Sequence, residues 1–454
     1  MVDRSAHFDV VIIGGGPAGQ AAALALSGHG LDIAVIDEQP RPGGQILRQP
    51  PAGFSVSGWL GSRSYRPLKA LLARFEAQQG VTWLGEHSVI GLQTGSVMAM
   101  GPRGALTLSA RHIVIAGGCH DLAVPVPGWT LPGVYAAGAV QAFIKGQQLL
   151  VGERILLAGT HPLQLIIAAQ IVAAGGKVAA VLFAQPRSAM LQALARHPMA
   201  ALRRAPDLLA SAAAIRTLAK AGTPVLYGAR IEAIEGRGSV AGARTSAGRF
   251  DCDAVGLCYG FVPQSILPRM AGARMQAAGP AGGWACVHDG YMRISVPGIS
   301  VAGETAGVAG AEAAAAGGAL AGIGVRLALG LISAEAAERA AREPRQRLAR
   351  HRAFAALLDA VADPRDHFPV PEADTIICRC EDVDHATLAG QVGSGGTANA
   401  VKLATRCGMG PCQGRNCEPS LLRMISPDGP GEDPGFTPRF PARPVAIADL
   451  LPSE

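Results

Sequence analysis

Nine cysteines occur in the chain, and five of them crowd between positions 378 and 417. They read Cys378-Arg-Cys380, then Cys407-Gly-Met-Gly-Pro-Cys412-Gln-Gly-Arg-Asn-Cys417. Thiolates in close pairs, on turns with glycine between them, suit a metal or cluster that needs soft ligands. Zinc favours CxxC knuckles. Here the spacing is Cys-x-Cys, 31 residues, then Cys-x4-Cys if Cys412 and Cys417 close the set. Cys407 is then the spare, and Cys407/Cys412 is the competing second pair. An odd total with this crowding favours a metal site in a reducing compartment over disulfides. Cys119, Cys252, Cys258 and Cys286 stand alone and are expected in the core or at the surface.

A second chemistry is written in glycine. Gly14-Gly15-Gly16-Pro17-Ala18-Gly19 is a GxGxxG that follows an apolar run and opens a helix. Gly14 permits the tight turn, Gly16 lets the backbone approach a pyrophosphate, and Gly19 allows close packing. Pro17 and Ala18 begin a helix whose free N–H groups and positive dipole face the phosphates. Asp37, 18 residues beyond Gly19, ends the next strand and can bind an adenosine ribose. Glu38 is the adjacent alternative.

These residues need elements to position them. Residues 8–13 read as a buried parallel strand, Pro17 to Gly28 as an Ala-rich helix, and Asp32 to Ile36 as a second strand. A second βαβ unit follows, with a strand from Arg154, a helix near 162–174 and a strand from Lys177 to Leu182. Its turn is Gly159-Thr160-His161, so a side chain stands where the pyrophosphate glycine belongs. Gln185 occupies the region where an acid would bind an NAD ribose, and Arg187 lies past Pro186. This unit is therefore expected to be degenerate and kept for packing and partner contacts. Residues 293–303 read as another strand, about 308–330 as an Ala/Gly helix, and about 333–361 as a charged, solvated connecting helix. Pro364, Pro369 and Pro371 mark a boundary before the cysteine module. A Pro/Gly-rich tail follows, expected to wrap a surface in extended form and to offer contacts to partners.

Composition bounds the rest. The 454 residues carry 49% hydrophobic and 16% charged side chains, which excludes a disordered chain. The net charge of +6 is too thinly spread for nucleic acid, and 4% aromatics leave no stacking platform. Polar residues interrupt the long apolar stretch at 155–183, so no transmembrane segment or export signal is read. A cytoplasmic protein is expected, associated with a membrane only through its electron acceptor. No nucleophile–base pair, acid dyad or Arg–Tyr amino-acid pocket is visible, so no catalytic residue is assigned.

Three marks in order resemble the two-dinucleotide-binding flavoprotein family, the glutathione and thioredoxin reductase type. Pro40-Arg-Pro-Gly43-Gly44-Gln45 resembles the loop that lies along the FAD pyrophosphate. Ile113 to Gly118 resembles the strand closing the first FAD segment. Gly298-Ile-Ser-Val-Ala-Gly303-Glu304 resembles the second FAD segment, with Glu304 where the family usually has Asp on a ribityl hydroxyl. The redox dithiol of those reductases is missing. The cysteine string resembles the small [2Fe–2S] module of the bacterioferritin-associated ferredoxin type, which implies Cys378, Cys380, Cys412 and Cys417 as ligands.

The combination, with Pro127-Gly-Trp-Thr-Leu-Pro-Gly133, resembles the α subunits of heteromeric amino-acid dehydrogenases. That group includes D-hydroxyproline and L-proline dehydrogenases, opine oxidases and hydrogen cyanide synthase. The resemblance implies an α/β fold with two Rossmann-like domains of glutathione reductase type and a small helical C-terminal [2Fe–2S] domain. The expected division is 1–150 and 257–332 for FAD, 151–256 NAD-like, 333–372 linker, 373–426 cluster module and 427–454 tail. It also implies a β subunit resembling D-amino-acid oxidases, in some cases a small ferredoxin-like γ subunit, and an FMN that can lie between α and β. The chain would then relay electrons from the partner's flavin. Two other readings stay open, a stand-alone NAD(P)H-dependent flavoprotein reductase and a non-catalytic scaffold holding an adenine nucleotide.

Overall fold

The computed structural model describes residues 5–51, 53, 54, 56, 60, 65–427 and 431–450. Val10 to Ile13 are all buried, the pattern of a strand covered on both faces. They close β1 (Ser5–Ile13), at the middle of a seven-stranded sheet. Its parallel neighbours are β2 (Ile33–Ile36), then β3 (Val81–Leu84), on one side. On the other side come β4 (Ser88–Gln93), β5 (Ser96–Gly101) and β6 (Gly104–Ile115). They form an antiparallel meander whose last strand lies against β1, and Ile299–Val301 pairs with β6. Helices α1 (Pro17–Leu26) and α2 (Arg66–Glu76) connect the first three strands.

The Ala/Gly helix spans Ala311–Ala328 and packs on α1. Small residues make that approach possible. A Cβ on Gly318 would stand 2.0 Å from the Ala18 carbonyl oxygen, and one on Gly322 would stand 2.6 Å from Ala25 Cβ.

The second sheet has five parallel strands. β8 (Val134–Ala136) lies at one edge beside Ala254–Cys258. Then follow β9 (Arg154–Gly159), β10 (Lys177–Phe183) and β11 (Val225–Tyr227). Two short strands, β7 (Cys119–Asp121) and Phe261–Pro263, pair antiparallel where the chain crosses between the two sheets. The first boundary expected at 150 is therefore corrected to about 118. Leu122, Val124, Trp129 and Val134 are buried in the second unit's core, and β8 is one of its strands. The return crossing likewise lies near 263 and not at 256, because Ala254–Cys258 is still in the second sheet.

Helix α3 (Ala137–Ala142) follows β8 and runs into a π-helical turn, Phe143–Gln147. Helix α4 (Leu163–Ala173) joins β9 to β10.

Three other expectations change. The run 293–303 is not one strand. Pro297-Gly298 turns the chain, Arg293 bridges back to Ser300, and only Ile299–Val301 joins the sheet. The charged helix, Ala334–Ala362, is more than a connector. Ala337, Ala341 and Leu348 bury against the first unit, while Leu357 and Val361 bury beside Ala193 of the second. The tail packs on its own chain. Phe436 is buried in the cysteine module, Ala442 N–H donates to Ile90 O at 2.7 Å, and Arg443 pairs with Glu38 at 2.5 Å. Residues 428–430 and 451–454 of that tail lie outside the described residues. Among the described residues, no helix is long and apolar enough to cross a membrane.

Candidate functional site

The first glycine loop builds a cradle. Gly14 has φ +108°, and a Cβ there would stand 2.3 Å from the Ala116 carbonyl oxygen. Gly19 backs onto Gly14, where a Cβ would stand 1.9 Å from its oxygen. Gly16 is different. The nearest neighbour a Cβ would meet is Gly44 Cα at 3.7 Å, so a space is kept on that side. Gly43 N–H donates to Gly15 O at 3.0 Å, which brings the second glycine loop over the first. No side chain caps α1 among the described residues, so its first amides face this space.

The two neighbouring acids separate. Asp37 accepts from Gly15 N–H at 2.6 Å and from Gln39 N–H at 2.7 Å, while burial raises its pKa against those bonds. Glu38 turns away to Arg443. Gln45 accepts from the Arg48 guanidinium at 2.8 Å.

Gly303 and Glu304 form a short 3-10 turn beside α1. A Cβ on Gly303 would stand 2.7 Å from Ala18 Cβ. Glu304 accepts from Cys119 Sγ–H at 2.8 Å and from Gly310 N–H at 3.3 Å. Burial pushes both the Glu304 carboxyl and the Cys119 thiol upward. Cys119 is thus a functional neighbour that the sequence left as a solitary cysteine. The open face of Gly16, the uncapped α1 amides and a half-buried acid on each flanking segment fit FAD. Gly14, Gly16, Pro17, Ala18, Gly19, Asp37, Gly43, Gly44, Gly303 and Glu304 are drawn into one cluster by these contacts, Gln45 follows Gly44 and meets Arg48, and Glu38 turns away.

The second unit's turn is closed by its own atoms. Thr160 and His161 N–H groups both donate to Cys258 O at 2.9 Å. Those are donors that a phosphate would need. The His161 imidazole accepts from Leu163 N–H at 3.2 Å and meets the Phe261 ring edge-on at 5.3 Å. Burial lowers its pKa to about 4. Gln185 is buried and donates to Thr160 O at 2.6 Å and to Val361 O at 2.9 Å.

The cysteines converge. The sulfurs of Cys378, Cys407 and Cys417 lie within 4.8 Å of one another, and all three residues are buried. Cys380 and Cys412 interact with each other beside them, and both are partly exposed. Cys407, the expected spare, therefore sits inside the group. Hydrogen bonding from Cys407 and Cys417 draws the Cys378 thiol strongly down. Gly410 is needed for the turn, since a Cβ there would stand 2.3 Å from Cys380 Cβ. Four thiolates in so small a volume fit a cationic cluster of the two-iron type.

Other contacts fix this module on the two sheets. The Arg269 and Glu418 side chains form a largely buried pair at 3.1 Å, and Arg269 also donates to the carbonyls of Pro434 and Phe436. Trp129, from the Pro127–Gly133 run, donates its indole N–H to Ile376 O at 2.6 Å. His120 Nε2 lies 3.1 Å from Arg415 O, so one residue after Cys119 the chain touches the cysteine loop. Neither Trp129 nor His120 was legible as a contact, because nothing in the sequence says which distant turn each meets.

Residues 8–319 match the pyridine nucleotide-disulphide oxidoreductase family, and residues 376–426 match the BFD-like [2Fe–2S] binding domain. An opine oxidase subunit of Agrobacterium tumefaciens (strain Ach5) is 31% identical across 99% of this chain and 92% of its own length. Hydrogen cyanide synthase subunit HcnB of Pseudomonas aeruginosa is 31% identical across 96% of this chain and 97% of its own. L-proline dehydrogenase from P. horikoshii shares the fold, with a TM-score of 0.70 over 99% of this chain and 80% of that one, at 21% identity. The chain belongs to the pyridine nucleotide-disulphide oxidoreductase family, as an oxidoreductase that uses FAD and a [2Fe–2S] cluster and is related to subunits of opine oxidase and hydrogen cyanide synthase.

Proposed function

We propose that this chain is the electron-carrying α subunit of a heteromeric amino-acid dehydrogenase of the D-hydroxyproline, proline or opine type. One observation carries the reading. The first nucleotide loop is kept open, whereas the second is filled by Cys258 O, His161 and Gln185. A nicotinamide donor has no prepared place, so electrons enter from a partner chain. That partner is expected to resemble D-amino-acid oxidases and to hold the substrate, a secondary amine of the proline or opine kind. An FMN at the α–β contact and a small γ subunit fit the same assembly. Exposed Leu191, Met199, Leu202 and Leu209 on the helices of 187–220 are the kind of surface a partner covers.

FAD and the cluster supply the redox chemistry, and the protein sets their surroundings. Gly14, Gly16 and Gly19 shape the pyrophosphate cradle, and Asp37 holds the loop from behind. For the cluster we propose Cys378, Cys380, Cys412 and Cys417. Without Cys407 the remaining four sulfurs form two pairs, Cys378 with Cys417 and Cys380 with Cys412, each of which would hold one iron.

Two measurements test this. The chain alone should show flavin and cluster absorption, no amino-acid dehydrogenase activity, and only slow reduction by NADH. Activity should come with the co-purified partner. Rapid flavin reduction by NADH would instead establish the stand-alone reductase. Cys407→Ser should keep iron and sulfide near two each per chain. Cys417→Ser should lose both, and the reverse result would exchange these two ligands.

A further inference from the structure

Lys145 lies in the π-helical turn Phe143–Gln147 and is 4% exposed. Its Nζ is buried without a hydrogen-bond partner among the described residues. The Tyr65 ring lies 5.1 Å from the ammonium, and Gln170 donates to the Tyr65 hydroxyl at 3.4 Å. Burial alone draws the Lys145 pKa to about 8, with no opposing anion. A buried ammonium without a counter-charge is strongly unfavourable. An orphaned buried polar group of this kind calls for an explanation such as an unseen ligand.

Its position says which ligand. Helix α3 starts where Gly138 N–H donates to Asp121 Oδ1 at 3.0 Å, two residues beyond the Cys119 that holds Glu304. The π turn ends against the other flavin segment. A Cβ on Gly146 would stand 3.2 Å from both Arg48 Cγ and Cδ, and Arg48 reaches back to Gln45 and Gln39. The helix therefore spans the gap between the two segments that frame the FAD site. Arg48 Nε is a second buried nitrogen without a partner there. π turns inside helices are frequent at functional sites.

We infer that Lys145, seconded by Arg48, is the counter-charge for the reduced flavin ring of the FAD bound at the first nucleotide site. Two electrons and one proton turn the neutral ring into an anion, and a fixed ammonium in a dry wall favours that charge. Lys145 is a tuning residue for the flavin and takes no proton from substrate. The inference rests on the flavin reading of the first site, which the flavin content of the unaltered protein checks separately.

The test compares Lys145→Met and Lys145→Arg with the unaltered chain, by dye-mediated redox titration without partner or substrate. In Lys145→Met the oxidised-to-reduced equilibrium should shift at least tenfold toward oxidised, about 30 mV for a two-electron couple. Lys145→Arg should stay within about threefold of the unaltered protein, about 15 mV on that scale. Flavin-free Lys145→Met should melt higher than the flavin-free unaltered chain, because an uncompensated charge is gone. Loss of flavin from Lys145→Met but not from Lys145→Arg would also support the assignment. A full flavin complement with an unchanged equilibrium in Lys145→Met would overturn it. So would loss of flavin from both variants, which would report packing alone.

Discussion

The two nucleotide units begin with the same strand, turn and helix, but their turns are occupied from opposite sources. At Gly16, among the described residues, a Cβ would meet only Gly44 Cα at 3.7 Å, the Gly15 amide is held by Asp37, and no side chain caps α1. At His161 the turn's amides, Thr160 and His161, are both bound to Cys258 O, and Gln185 ties the turn to the helix Ala334–Ala362. A dinucleotide site depends on what is withheld from it. The second unit nonetheless has a complete sheet and core, because strands β9 and β10 need only apolar neighbours. Gln185 links it to a helix that also packs on the first unit.

Valine at the two turns should give the largest contrast. Gly16→Val fills the cradle without striking its own backbone, so the protein should fold and retain less than about a tenth of its flavin, on the close-approach argument. His161→Val should keep flavin and cluster in full. Absorbance per chain measures both, and normal flavin in Gly16→Val would erase the distinction.

Gln185→Glu comes next. In a working unit a carboxylate there would greet a ribose, but here it would face the carbonyl oxygens of Thr160 and Val361. The variant should lose about 2–3 kcal/mol of stability. An unchanged melting curve would mean that the turn opens easily.

The smallest effect concerns acid. The unfolded His161 imidazole titrates near 6.5, whereas in the fold burial holds it at about 4. Between those values the unfolded state binds more protons, so stability falls as pH drops from about 6.5 toward 4. His112 and His120 are depressed to about 4 in the same way, so His161→Gln should remove about a third of that fall and leave the rest. Parallel pH–stability curves would place His161 in a wetter setting than Phe261 and Cys258 suggest.

What the sequence revealed follows the range of the interactions. Gly14 to Gly19 form one short motif, so the turn and the helix it opens were readable from spacing, whereas what meets them lies far along the chain: Ala116 at Gly14, Asp37 at Gly15, and Cys258 at Thr160 and His161. The first domain boundary was misplaced because β8 joins its sheet through Ala254–Cys258, more than a hundred residues later. Nothing in the sequence singles out Lys145. Its significance is burial, which comes from Tyr65 and Arg48 across the fold. Cys407 looked surplus by spacing, yet the turn after Arg406, in left-handed conformation at φ +66°, swings it into the group.

The strap formed by residues 431–445 has one more consequence. Phe436 fits under Gly408 and Gly414, where a Cβ would stand 2.5 and 2.3 Å from its ring, and Arg443 ends at Glu38 beside the flavin cradle. With Arg269 gripping Glu418 from the opposite side, the cysteine module is belted to its neighbour and is not a swinging arm. Electron hopping between the two centres would then cross a gap of constant width. Its speed would answer to driving force and to temperature only weakly, and solvent viscosity would leave it untouched.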